Sequence, residues 1–211
     1  MVARSPNQPD ALHFTPEPEA NTLLAAEPLA TLIGMLLDQQ VTMESAFLAP
    51  WRLQQRLGEP LDAGRMAAMD PSELEEVFKQ RPALHRFPGS MARRTHELCA
   101  YLVEHHSGRA EAVWDDAATG DELFSRLKAL PGFGNDKARI FVGVLGKRLG
   151  VRPAGWEAVA ADWASIADVD SFARVAEIRA AKQAMKAATK AKAEAKAKDA
   201  AKAKDAAKAT P

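Results

Sequence analysis

Leu130-Pro131-Gly132-Phe133-Gly134-Asn135-Asp136-Lys137-Ala138 interrupts two runs of helical periodicity with a turn that few other residues could build. Before it, Leu123, Phe124, Leu127 and Leu130 fall on one face of a helix over 121–130. After it, Ile140, Phe141, Val144 and Leu145 do the same over 138–149. Pro131 stops the first helix, and the two glycines permit the backbone angles of a tight turn that leaves its amides unpaired. Free amides running into a helix N-terminus attract anions, and a DNA phosphate suits such a surface. Pro-Gly-x-Gly also joins packed helices with no further role, so the glycines by themselves leave both readings open.

Two more segments stand out. Leu36-Leu37-Asp38-Gln39-Gln40-Val41-Thr42 closes an apolar helix over 27–40, which carries Leu29, Leu32, Ile33, Leu36 and Leu37, and opens a second helix over 43–57 that Gly58 ends. Adjacent glutamines at a helix end are ordinarily just solvated, while Thr42 suits the next helix as its cap. Farther on, Phe87-Pro88-Gly89-Ser90-Met91-Ala92 leads through Arg93 and Arg94 into a helix over 91–106, with Ser90 as its expected cap. The two arginines are either phosphate contacts or a solvated helix start, since cations there oppose the helix dipole unless an anion is bound.

The full pattern Leu-Pro-Gly-x-Gly-x-x-x-Ala between amphipathic helices resembles the helix-hairpin-helix of the HhH-GPD superfamily, the DNA glycosylases of base excision repair. The Gln-Gln-x-Thr segment and the Phe87 loop are similar to two more of its landmarks, in the family's order, over residues 27 to 156. The resemblance implies an all-α, glycosylase-like helical body. It also implies that Gly132, Phe133, Gly134, Asn135 and Lys137 form a DNA-binding surface, with a monovalent cation beside the hairpin backbone. Gln40 would then fill the gap left by an extruded base, where an amide can both donate and accept. Met91 stands where the family commonly has Lys. The four-cysteine iron–sulfur cluster of several members is excluded here, because Cys99 is the chain's one cysteine.

The family's catalytic signature is broken. Its Schiff-base lysine occupies the seventh hairpin position, which is Asp136 in this chain; Lys137 comes one residue late, a rotation of about 100° on a helix. Lys137 therefore reads as a phosphate contact, and β-lyase activity is not expected. The family's spacing to its catalytic Asp reaches Ala154, which has no carboxylate. Glu157, at the start of a short helix, is the first substitute and Asp136 the second. Asp168 and Asp170 lie farther on, and a chain with no catalytic carboxylate at all is the remaining alternative. Trp156 and Trp163 are either core residues or an aromatic wall for an extruded base. His105 and His106 have no metal-ligand partners in the pattern, so no metal site is expected.

The expectation is a monofunctional DNA N-glycosylase acting as a monomer on double-stranded DNA, with no cofactor. The alternative is a non-catalytic damage-sensing module on the same fold. A lesser possibility is an all-α protein–protein interaction domain.

The chain has 211 residues and a formal net charge of zero, but the charge is unevenly placed. Residues 182–211 hold nine lysines against three carboxylates, net +6, which leaves 19 basic and 25 acidic residues, net −6, in residues 1–181. The expected organisation is a flexible arm over 1–20, in which Leu12, His13 and Phe14 are the residues able to pack locally, a helical domain over 21–181 and a disordered Lys/Ala-rich tail over 182–211, suited to polyanions. No segment approaches the roughly 18 apolar residues that span a bilayer, and no secretion signal precedes the body. The single cysteine excludes an internal disulfide, and the expected location is cytoplasmic, with the nucleoid.

Overall fold

The computed structural model describes residues 9–185 and 187–189. The protein is all-α. The helices are α1 (Pro18–Ala26), α2 (Pro28–Leu37), α3 (Met43–Leu57), α4 (Ala63–Ala68), α5 (Pro71–Lys79), α6 (Pro88–His106), α7 (Gly120–Ala129), α8 (Asn135–Arg148) and α9 (Trp156–Val159), followed by α10 over 172–185. Among the described residues the only β-type pairing is an isolated parallel bridge between Thr119 and Ala154. No single helix among them is long and apolar enough to cross a membrane.

Local chemistry places most helix ends. Thr42 accepts from the Ser45 amide to cap α3, Gly58 ends α3 in the left-handed region, and Asp62 and Asp70 cap α4 and α5. Ser90 does not cap α6. Pro88 at the first helical position starts that helix three residues earlier, with its fixed φ and without need of an amide partner.

α2 is the centre of the molecule: every residue from Leu29 to Leu37 is buried. It packs on α3, on α6 and on the start of α8, so its C-terminal end lies where the α1–α6 group meets the α7–α8 hairpin. α3 fits closely against it, because Phe47 occupies the space a side chain at Gly34 would fill.

The second half of the N-terminal arm packs on the body, as the Leu12–Phe14 stretch allowed. Leu12 and Phe14 are buried, and Phe14 meets Phe47 edge-on at 5.0 Å between ring centroids. Asn21 clamps this segment: its Nδ2 donates to Thr15 O at 2.9 Å, and its Oδ1 accepts from Thr15 N at 3.0 Å. Burial of two large side chains and pairing of the buried amides offset the cost of ordering the segment.

At the other end, α10 continues past residue 182, where the tail was expected to begin, and residues 187–189 are also helical. Its inward stripe reads Val175, Ile178, Lys182, two buried apolar residues and then a partly covered lysine. The remainder of the expected tail, 190–211, lies outside the described residues, as do residues 1–8 of the arm.

Candidate nucleic-acid interface and its polar junction

The turn between α7 and α8 is built against the end of α2. Gly132 has φ of +79°, and a Cβ there would lie 2.4 Å from Leu36 Cδ1. Only glycine meets both conditions without displacing a buried leucine. Gly134 is different, since its φ is −92° and a Cβ there would meet nothing. Gly132, Gly134, Asn135 and Asp136 are exposed. Phe133 is not part of that surface. Its ring is buried edge-on against Phe141 at 6.1 Å, and its amide donates to Leu130 O at 3.0 Å. Its apolar ring gains more from the core than from water.

Lys137 also turns inward. Its Nζ donates to Leu36 O at the C-terminal end of α2 and lies 6.0 Å from the Phe133 ring centroid. Burial lowers its ammonium to about 8, even though the nearby Asp38 carboxylate favours the charged form. The side chain expected to meet phosphate instead satisfies a carbonyl that the helix end leaves unpaired.

The two glutamines after α2 have separate roles. Gln39 is held on every side. Its Nε2 donates to Leu36 O at 2.9 Å and approaches Met91 Sδ at 3.3 Å, while its Oε1 accepts from Arg94 Nη1 at 3.1 Å. Its backbone oxygen accepts from His85 Nε2 at 2.9 Å. Gln40 follows with φ of +55°, an unusual angle for a residue with a side chain, and is exposed. Anchoring Gln39 is thus what holds Gln40 outward. Of the two arginines in the third segment, Arg94 belongs to this junction, whereas Arg93 pairs with Glu75 at 3.2 Å on the surface. Phe87, 42% exposed beneath the Arg86 guanidinium, flanks the same edge.

Three sequence segments therefore converge on one place: the end of α2, the turn into α8 and the loop into α6. The order of these segments, the hairpin geometry and the all-α architecture point to one family, whose model matches residues 33–203.

The chain belongs to the HhH-GPD superfamily of base excision DNA repair proteins.

No curated protein matches it. HhH-GPD membership makes DNA the substrate and base excision repair the setting.

Within this HhH-GPD body, the two carboxylates expected to replace the missing one are not together. Gly120, the first residue of α7, abuts α9: a Cβ there would lie 2.7 Å from Trp156 Cα. Trp156 in turn covers Gly146 near the far end of α8. Glu157 is consequently exposed at the open end of the hairpin, beside a stretch of α8 about 13 Å from Lys137 along the helix axis. Asp136 is exposed on the first turn of α8, where its charge favours the helix N-terminus and opposes an incoming phosphate. Asp168 closes a capping box with Ser165 and pairs with Lys147 at 2.6 Å, a structural use. Trp156 is core, and Trp163 lies under the Arg139 guanidinium at 4.8 Å. Among the described residues, no group of His, Cys, Asp or Glu could hold a metal ion.

Sequence reasoning passed over Asp38 and His85, and it gave Arg94 a phosphate or solvent role where the structure ties it to Gln39. Asp38 caps the C-terminal end of α2 with its side chain only 8% exposed, beside Lys137 and 3.7 Å from Lys182 Nζ of α10. A charged residue breaking an apolar helix just before Gln-Gln was the one available signal.

Proposed function

We propose that this protein is a monofunctional DNA N-glycosylase that draws one nucleotide out of a duplex and hydrolyses its N-glycosidic bond. The observation that carries this reading is the adjacency of the exposed Gly132–Gly134 turn to the exposed Gln40, both fixed on the end of α2. Amides at the turn and at the start of α8 suit a backbone phosphate, and Gln40 suits the gap that base extrusion leaves. Arg86 and Phe87 on the same edge offer a charge for phosphate and a ring for stacking. Hydrolysis needs water and an acidic group, with no cofactor. A monomer on double-stranded DNA, in the cytoplasm with the nucleoid, is the corresponding working state.

Base release from duplexes carrying single lesions (alkylated purines, uracil, oxidised guanine and mismatches) tests it. Strand cleavage at one lesion only after alkali is expected. Selective retention on one duplex with no base released would leave a damage-sensing module instead.

A further inference from the structure

We infer that Asp38 is the catalytic carboxylate of this protein, the group that faces the positive charge developing on the sugar as the base departs. The inference rests on the proposed glycosylase reading and concerns which residue serves it.

Asp38 is placed by both landmarks at once. Leu36, two residues before it, is the contact of Gly132 in the phosphate-binding turn, and Gln40, two residues after it, is the exposed side chain at the extrusion gap. A nucleotide held by its phosphate at the turn, with Gln40 in the place of its base, brings its sugar to the intervening residue.

The surroundings of the carboxylate suit a cation. Lys182 Nζ from α10 stands 3.7 Å away, and the Lys137 amine, tied to Leu36 O, is near enough for the carboxylate to favour its charged form. Lys182 already pairs a positive charge with this carboxylate, and its own side chain remains 25% exposed, at the end of the apolar stripe of α10. A positively charged sugar can replace it there without leaving Asp38 unpaired. Neither Glu157 nor Asp136 has such a setting: one lies at the far end of the hairpin and the other faces solvent.

The step balances simply. The C1′–N bond breaks with its electron pair leaving on the base, which takes a proton from solvent. Water adds its oxygen to C1′ and passes a proton to the Asp38 carboxylate, which returns it to solvent. Before water adds, the carboxylate stabilises the cationic sugar across a short, poorly solvated gap, where electrostatic stabilisation is strongest.

The test needs no knowledge of the lesion. Full-length protein is titrated with two duplexes, one containing a pyrrolidine abasic-site analogue whose ring nitrogen is positively charged, the other a neutral tetrahydrofuran analogue. Wild type should bind the cationic duplex about tenfold or more tightly than the neutral one, as it would a mimic of the charged intermediate. Asp38→Asn should abolish that preference while the neutral duplex binds at least as tightly as to wild type, because a charge repelling phosphate is lost, which also reports that the variant is folded. Asp38→Glu should restore part of the preference. A preference that survives in D38N, or an equal loss of both duplexes, overturns the assignment. If wild type binds both analogues alike, Asp38 fails while the DNA reading stands; if it binds neither above undamaged duplex, the glycosylase reading itself fails and takes Asp38 with it.

Discussion

His85 accepts the Phe87 amide on Nδ1 at 3.1 Å and meets Gln39 O through Nε2 at 2.9 Å. That pairing assigns the hydrogen to Nε2 and leaves no room for a second proton on Nδ1. Burial lowers the imidazole below its ordinary value of 6.5, while the bond to Gln39 O works in the other direction. The unfolded chain therefore binds a proton that the folded one refuses, and stability falls as pH drops below about 6.5. Because His85 holds Gln39 and Gln39 aims Gln40, acid should loosen this loop first. His85→Gln keeps an amide donor in reach of Gln39 O but does not titrate. At neutral pH it should cost on the order of 1 kcal/mol, the value of an imperfectly remade hydrogen bond. Between pH 6.5 and 5, thermal melts should show wild type losing more stability than H85Q; parallel curves would remove His85 as the source of acid sensitivity.

The α7–α8 hairpin separates two uses of glycine. At Gly132 the left-handed φ and the contact with Leu36 make any side chain costly, so Gly132→Ala should destabilise by about 1–3 kcal/mol in denaturant melts. Gly134 lies in an ordinary region with open space beyond it, and Gly134→Ala should melt within about 0.5 kcal/mol of wild type. A methyl group at that exposed turn would still crowd an approaching phosphate. The expected outcome is a folded variant with duplex affinity reduced several-fold in titrations at low salt. Unchanged affinity would show that the phosphate sits elsewhere.

At the scale of the molecule, charge and shape work together. The C-terminal helix α10 returns to the end of α2, where Lys182 meets Asp38 and Arg179 pairs with Glu44 at the start of α3. Lys182 thus brings the described part of α10 to the proposed interface. Residues 190–211 contribute seven lysines and three carboxylates, and their removal should weaken duplex binding and flatten its dependence on salt. Selectivity between damaged and undamaged DNA should persist, because the residues at the junction remain. A slope of affinity against salt that does not change on truncation would exclude the tail from the DNA contact.

Features fixed by neighbouring residues could be read from the chain alone. Thr42 and Gly58 bound α3 as capping chemistry dictates, and Pro131 with Gly132 marks the hairpin, because each acts through its own backbone or that of the next few residues. The two helices of the hairpin were evident from their apolar spacing, although α8 begins three residues earlier than that spacing suggests. Side-chain direction was another matter. Lys137 turns inward to share a carbonyl 101 residues away, at Leu36, with Gln39, and nothing near Lys137 records that partner. Phe14 is ordered by Phe47, and Gln39 is singled out from Gln40 by His85, Met91 and Arg94. Asp38 gains its place from Lys137 and Lys182, brought in from two other helices. Backbone turns and helix ends are local balances of sterics and hydrogen bonds, so sequence decides them. Which polar groups share a desolvated space depends on the packing of the whole chain, so only the tertiary structure does.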